Sequence, residues 1–137
     1  MSLNPAPAIA EYLRGAATAT YAVASTRTFW PFATSEPTLP YVCVRLVATR
    51  RLAVGMNGAS APRDFEVEIL CLASKQSAAW TLADAVLTDL DNHTGVTPAG
   101  GPLTFRRCYC SNAVDLISEA NFEAGVFAVQ LIFAVTI

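Results

Sequence analysis

Charge is scarce in this sequence. Charged residues make up 15% of the 137 residues, whereas hydrophobic residues make up 53%. So apolar a composition excludes a disordered chain. It also leaves few charges to solvate the surface, and we expect part of that surface to be buried against partners. The length is typical of one core, so we predict that residues 1–137 form a single domain.

Basic clusters and membrane-length apolar runs are missing as well. No cluster of Lys or Arg exceeds the pairs Arg50–Arg51 and Arg106–Arg107, and the net charge is -2. The basic patch typical of nucleic-acid binders is missing, so nucleic acid is not the default partner, and we expect no nucleic-acid specificity. The longest late uncharged run, Ala124 to Ile137, has 14 residues, fewer than the roughly 20 that span a bilayer. No secretion signal opens the sequence, and we expect no membrane partner.

Motifs for catalysis and metal binding are missing too. Cys43, Cys71, Cys108 and Cys110 form no CxxC pair and have no histidine at metal-ligand spacing. We interpret them as small buried residues in a reducing cytosol. The lone histidine, His93, follows Asp89 and Asp91 in a segment rich in Gly, Thr and Pro, and we predict an exposed loop residue. No nucleotide-binding, hydrolase or zinc-protease motif occurs, so we expect no enzyme, cofactor or metal.

Two segments carry the pattern of helices. Asn4 and Pro5 are suited to begin a helix that runs to about Thr18, and Ser74 is suited to cap another that runs to about Asp91. The apolar stripe of the second helix contains Ala79, Leu82, Ala83, Val86 and Leu90.

Trp80 and Leu87 flank that stripe. At 100° per residue they lie roughly 80–100° from its centre. They either complete the core or contact a neighbouring subunit, and core packing is the simpler interpretation.

Strand patterns follow an extended, proline-containing connector from Thr26 to Pro40. The predicted strands are Tyr41–Val54, Asp64–Ala73, Leu103–Cys110 and Asn121–Ile137, with a loop at Asn92–Pro102 and a short irregular connection or strand at Asn112–Glu119. The last strand is apolar on one face and nearly so on the other, which favours a central place in a sheet. We predict an α+β fold with a mostly antiparallel sheet of about four to five strands and two helices packed on one face.

Between the first two strands, Gly55 to Pro62 is rich in turn-forming residues and predicts a protruding hairpin loop. In the strand that follows, Asp64, Glu66 and Glu68 form an acidic ladder on one face. A cation site would need ligands from several elements, so we interpret the ladder as pairing residues. The arginines that could pair with it, across strands or across a subunit boundary, are Arg45, Arg50, Arg51, Arg106 and Arg107.

Between Leu39 and Asn92 the sequence places a strand preceded by proline, a hairpin, a strand of alternating character and a capped helix with an A-x-x-L-A-D-A-V motif at Ala79–Val86. This order resembles the tail terminator (tail-completion) proteins of long-tailed bacteriophages. The first helix and the last strand fit the same plan more loosely. Such a protein could belong to a phage, a prophage or a gene-transfer particle.

The resemblance implies a ring, usually a hexamer, that binds the end of the tail tube protein assembly and stops its polymerisation. The ring also presents a surface to the head connector or stopper protein. When each subunit contacts the next through two different surfaces and the rotation between subunits closes a ring, the assembly stops growing without any chemical reaction. The implied location is the host cytoplasm during assembly and then the tail–head interface of the virion, and copies could stay monomeric until they meet the tube.

Two sets of residues follow as hypotheses. The tube-docking set is Arg50, Arg51, Gly55, Met56, Asn57, Gly58 and Asp64. The subunit-interface set is Glu66, Glu68, Trp80, Leu87 and Arg106.

Two other functions remain open. The first is another neck or minor tail protein of the same virion. The second is a small α+β enzyme or ligand-binding domain, for which Cys108, Tyr109, Cys110 and His93 form the only plausible polar constellation.

Overall fold

The computed structural model describes residues 4–31, 38–51, 63–96, 104–116 and 125–137. Its helices are α1 (Ala6–Leu13), α2 (Ala19–Ala24) and α3 (Gln76–Leu90). Its strands are β1 (Thr28–Phe29), β2 (Tyr41–Arg51), β3 (Arg63–Ala73), β4 (Gly95–Val96), β5 (Thr104–Phe105), β6 (Arg107–Leu116) and β7 (Phe127–Thr136).

One sheet organises the described residues. Its five strands have the order β1-β2-β3-β7-β6, and every pairing is antiparallel except that of β1 with β2. β4 and β5 form a separate two-stranded sheet. These elements confirm the predicted α+β class and the central place of the last strand. The predicted number of helices was wrong, because the described ranges contain three.

The extra helix comes from the region predicted as one long helix. The Asn4 side chain accepts a hydrogen bond from the Ala6 amide at 2.9 Å, but α1 ends at Leu13 instead of Thr18. Thr18 begins α2, and its hydroxyl accepts a hydrogen bond from the Tyr21 amide. The same hydroxyl donates to the Leu13 carbonyl at 3.1 Å. Thr18 therefore caps a new helix and cannot also continue the previous one.

The second predicted helix is confirmed as α3, with a different start. Its N-cap is Lys75 in an extended conformation, without a side-chain hydrogen bond, so the predicted Ser74 cap was wrong. All five residues of the predicted stripe are buried. Packing of this stripe outweighs the missing cap, as is usual for amphipathic helices.

Several strand boundaries also differ from prediction. The proline-containing connector includes β1, and the loop predicted at 92–102 includes β4, since each short segment finds a partner elsewhere in the chain. β6 continues to Leu116 because an irregularity between Cys110 and Asn112 absorbs one residue without ending the pairing. β7 begins at Phe127, later than the predicted Asn121, which lies outside the described residues.

The core lies on one face of the sheet, which we call the inner face. Its buried residues are Val42, Val44, Phe65, Val67, Ile69, Cys71, Cys108, Val129, Leu131, Phe133 and Val135. The buried residues of all three described helices belong to the same hydrophobic cluster or contact it. Alternation along each strand therefore sends every second side chain away from the helices.

A carboxylate holds two of the helices together. Asp89 of α3 accepts hydrogen bonds from the amides of Ala19 and Thr20, both at 2.8 Å, and from the Thr20 hydroxyl at 2.6 Å. These groups lie in the first turn of α2, where amides have no partner within the helix. Because α2 has only six residues, its N-terminus depends on this distant side chain.

Candidate interaction surface

The second face of the sheet, the outer face, carries the acidic ladder. The residues of the outer face include Arg45 and Ala48 of β2; Asp64, Glu66, Glu68, Leu70 and Leu72 of β3; Ala128, Gln130, Ile132, Ala134 and Thr136 of β7; and Arg107, Tyr109, Asn112, Val114 and Leu116 of β6. Polar residues gather at the β2–β3 hairpin end, and apolar residues at the other end. No described helix covers this face, because all three pack on the inner face.

Of the three acids in the ladder, the Glu68 side chain makes the most hydrogen bonds to described residues. Arg45 lies opposite it in register and donates from a guanidinium nitrogen to Oε1 at 2.8 Å. Gln130 donates to Oε2 at 2.7 Å. These bonds satisfy both oxygens of a carboxylate that is only 5% exposed. The predicted pairing of the ladder with arginine across strands is confirmed for this pair.

Asp64 and Glu66 are held less firmly. Asp64 accepts a hydrogen bond from the Thr136 hydroxyl at 2.6 Å, and its backbone lies opposite Arg50. Glu66 is exposed, and within the described residues it makes no hydrogen bond or ion pair. The middle of the ladder therefore presents a carboxylate that no described residue neutralises.

A depression of about 210 Å³ lies beside these two acids. Its residues are Ala48, Asp64, Phe65, Glu66, Arg107, Tyr109, Ala134 and Thr136. The small side chains of Ala48 and Ala134 leave the space, the acids of β3 form one wall, and β6 forms the other. No ion pair among the described residues joins the two walls.

The β6 wall combines a cation with an aromatic ring. The guanidinium carbon of Arg107 lies 5.5 Å from the centre of the Tyr109 ring. Tyr109 is among the few large apolar side chains left exposed, at 38%. A cation stacked on an aromatic ring is held in place yet stays available to a partner. The depression thus presents opposite charges on facing walls, an arrangement suited to binding rather than catalysis.

The other predicted interface residues lie elsewhere. Trp80 and Leu87 are half-buried and pack against the core from α3. The Trp80 indole N–H donates to the Asp115 carboxylate at 3.2 Å, which ties α3 to β6. Arg106 is exposed just before β6. The interface set is therefore divided between the outer face and the helix side.

The described members of the docking set, Arg50, Arg51 and Asp64, lie where β2 ends and β3 begins. Arg50 and Arg51 end β2, and Arg51 pairs with Arg63 at the start of β3. This antiparallel pairing is the one expected for strands joined by a hairpin. Gly55, Met56, Asn57 and Gly58 lie outside the described residues.

His93 was predicted to be exposed, and this was wrong. Its ring is half-buried, stacks on Tyr12 at 4.8 Å between centroids and meets the edge of Phe105 at 6.1 Å. The histidine follows directly after α3, so the chain is still close to α1. Aromatic neighbours from distant segments decided its burial, and the local composition of the loop could not reveal them.

The residues of the alternative enzymatic constellation do not converge. Cys108 is buried on the inner face, whereas the next residue, Tyr109, lines the outer depression. Burial, with Asp91 and then Cys110 nearby, raises the pKa of the Cys108 thiol to about 12. This thiol is therefore protonated at neutral pH, the wrong state for a nucleophile.

Within the described ranges no group of three His, Cys, Asp or Glu side chains is placed to hold a metal ion. None of the described helices combines the length and the apolar character needed to cross a bilayer.

Sequence reasoning missed the partners that complete this surface, chiefly Gln130, Thr136, Ala134 and Tyr109. The alternation of β7 did assign three of them to one strand face. It could not show that this face lies between the acids of β3 and the residues of β6, because strand order is not written in any local pattern. A register prediction for β3, β7 and β6 would have revealed the depression.

No family model and no curated protein matches this sequence. Among solved structures, a chain in the virion of a native gene transfer agent (GTA) particle matches with a TM-score of 0.67 and 19% sequence identity. The match covers 95% of this chain and 91% of that chain. The two chains therefore share a fold over nearly their whole length.

Proposed function

We propose that this chain is a structural virion protein that forms a ring on the end of a phage-type tail tube. The ring would stop tube polymerisation and provide the surface that joins the head connector or stopper protein. The observation that carries this proposal is the fold shared with a chain of a gene transfer agent virion, at a TM-score of 0.67. The order of the elements in the sequence and the A-x-x-L-A-D-A-V motif resemble the same class of protein.

The surfaces on this chain suit a ring subunit. A ring needs two different patches that contact each other on successive copies, so that rotation closes the assembly. Glu66 and Glu68 lie on the outer face, whereas Arg106, Trp80 and Leu87 lie outside it. In this proposal these two groups form the two sides of the subunit contact, with six copies closing the ring.

The tube contact is assigned to the hairpin end. Arg50, Arg51 and Asp64 lie there in the described structure, and the segment Gly55–Gly58 connects the same strands. A long loop between two well-paired strands can change its sequence without disturbing the core. Such a loop is suited to docking on a tube of a particular chemistry.

Tube capping is the decisive experiment. Deletion of residues 55–60 should leave the circular dichroism spectrum and the thermal unfolding temperature nearly unchanged, while the protein no longer binds tube ends or halts elongation of purified tube protein. Deletion of residues 97–101, between β4 and β5, is the matched control and should retain capping. Unchanged capping by the first variant would refute the docking role of the hairpin.

Another neck or minor tail protein of a virion is the second candidate, because the fold likeness supports it equally. The two candidates differ in where the protein binds. A terminator binds one end of a finished tube and stops its growth. A neck protein that binds only the connector would leave elongation unaffected.

A further inference from the structure

The outer face has an internal pattern centred on β7. The registers of β3 and β6 on β7 align Asp64 with Arg107 on either side of Thr136. One step along, they align Glu66 with Tyr109 on either side of Ala134. Acceptors on β3 thus lie level with a cation and a hydroxyl donor on β6.

The same relation continues into the apolar half of the face. Leu70 is level with Val114, and Leu72 is level with Leu116. All four side chains are half-buried, so part of each still faces solvent. The acids of β3 are thus level with the cation and polar side chains of β6, Glu68 with Asn112 among them, and the leucines of β3 are level with apolar side chains.

The strand between them, β7, could face its own copy in a second molecule. The outward residues of β7 are Ala128, Gln130, Ile132, Ala134 and Thr136, and none is charged. A residue on a two-fold axis meets its own copy, so a charge there would repel itself. An axis along β7 therefore produces no such repulsion among the described residues of this strand.

We infer that two copies of this chain pair through their outer faces around a two-fold axis parallel to β7. The rotation places β3 of one copy over β6 of the other. Asp64 then meets Arg107 of the second copy, and Glu66 meets its Tyr109 hydroxyl, each contact occurring twice. Aligned face-to-face packing of this kind is a common arrangement of sheets.

The depression explains how the faces can approach. Ala48 and Ala134 leave about 210 Å³ beside Glu66, into which the Tyr109 ring of the second copy can enter. An aromatic anchor in a small pocket, surrounded by charge pairs, is the usual centre of a protein interface. Because Glu66 is also assigned to the ring contact, the dimer would hold copies apart from ring assembly, but the pairing itself does not depend on that function.

Sedimentation equilibrium of the full chain over a wide concentration range tests the pairing. The wild-type protein should reach a mass of two copies and stop there. Arg107→Glu faces Asp64 with a like charge twice per dimer, and should weaken dimerisation at least about tenfold, since close interfacial charge pairs carry large coupling energies. Lys75→Glu makes the same charge change beside α3, on the far side of the sheet, and should leave the dimer constant unchanged.

A charge exchange makes the test specific. Asp64→Arg alone should also weaken dimerisation, because it faces Arg107. An equimolar mixture of Asp64→Arg and Arg107→Glu restores both opposite-charge contacts in a mixed dimer, and dimerisation should recover. If Asp64→Arg fails to fold after losing its bond from Thr136, Asp64→Asn takes its place, because its side-chain oxygen can still accept that bond. Its mixed dimer with Arg107→Glu keeps one opposite-charge contact and no like-charge contact, so it should be tighter than the dimer of Arg107→Glu alone.

Three results would overturn the inference. A wild-type protein that stays monomeric at every concentration, or that grows past two copies, has no closed face-to-face dimer. Equal dimer constants for the wild type and Arg107→Glu would remove the charge contact. Failure of the mixture of folded variants to recover would show that the two residues do not face each other. Tube capping is measured separately, so a failed ring and a failed dimer can be told apart.

Discussion

The two faces of the same sheet differ in composition and in what covers them. On the inner face, the alternate residues of β3 and β7 from Phe65 to Cys71 and from Val129 to Val135 are apolar and buried. On the outer face the intervening residues of β3 change from charged at Asp64 to apolar at Leu72, and those of β7 are uncharged. The inner face is covered by this chain's own helices, so burial alone determines its composition. No described helix covers the outer face, and its composition can instead specify partners.

The polar groups of the outer face also fall into two kinds, those that bond within the sheet and those that do not. Glu68 has its two oxygens satisfied within the sheet, by Arg45 and Gln130. Glu66 and Arg107 have no hydrogen bond or ion pair with the described residues. Glu68 therefore contributes to the stability of the sheet in addition to any subunit contact, whereas Glu66 and Arg107 are available for association alone. Three pairs of substitutions compare the layers and groups of the molecule, and they are ordered by expected effect.

The largest loss in the free energy of unfolding is expected from a substitution on the inner face. Phe133→Ala removes a fully buried ring from β7, and should lower the free energy of unfolding by about 3–5 kcal/mol. Ile132→Ala, one residue away on the outer face and half-buried, should cost about 1–2 kcal/mol. Urea denaturation measures both. Equal losses would show that the outer face is buried as deeply as the inner one.

A smaller effect is expected in the layer that covers the inner face. Asp89→Asn replaces one of the two accepting oxygens with an amide donor, so only one of the Ala19 and Thr20 amides keeps its acceptor. We expect a loss of about 1–2 kcal/mol. Asp84→Asn, exposed on the same helix, is the matched control and should change stability by no more than about 0.5 kcal/mol. If thermal unfolding shows the two variants alike, α2 does not depend on the carboxylate.

The smallest effect is expected on the outer face itself. Arg45→Met removes the cation from Glu68, and we expect a loss of about 1 kcal/mol. Solvent reduces this value because the Arg45 side chain is 53% exposed. Arg107→Met, which breaks no ion pair to a described residue, should stay within about 0.5 kcal/mol. Denaturation at low protein concentration separates this from association. A larger loss for Arg107 would place it among the residues that stabilise the fold.

Sequence patterns predicted most of the inner face. The period-two alternation of β3 and β7 and the stripe of α3 identified buried residues correctly, because burial on one side leaves a direct periodic signal. The Arg45–Glu68 pair was also among the predicted alternatives. Such features depend on residues that are near in sequence or lie on adjacent strands of a hairpin.

The parts that failed depend on distant contacts. Nothing near Thr18 indicates that Asp89 supports a second helix there, and nothing near His93 indicates that Tyr12 covers its ring. β4 exists because Phe105 pairs with Gly95. The depression required the order of β3, β7 and β6, which joins segments far apart in the chain. Local patterns assign residues to faces, but only topology decides which faces meet.

The position of β7 has a consequence for biosynthesis. It is the last of the described strands along the chain, yet it lies between β3 and β6. While the ribosome is still producing it, β3 and β6 each present a row of unpaired backbone groups, which invites pairing with other nascent chains. Truncation before Phe127 should therefore yield inclusion bodies instead of a smaller folded sheet, and early chaperone contact should raise the recovery of the full chain.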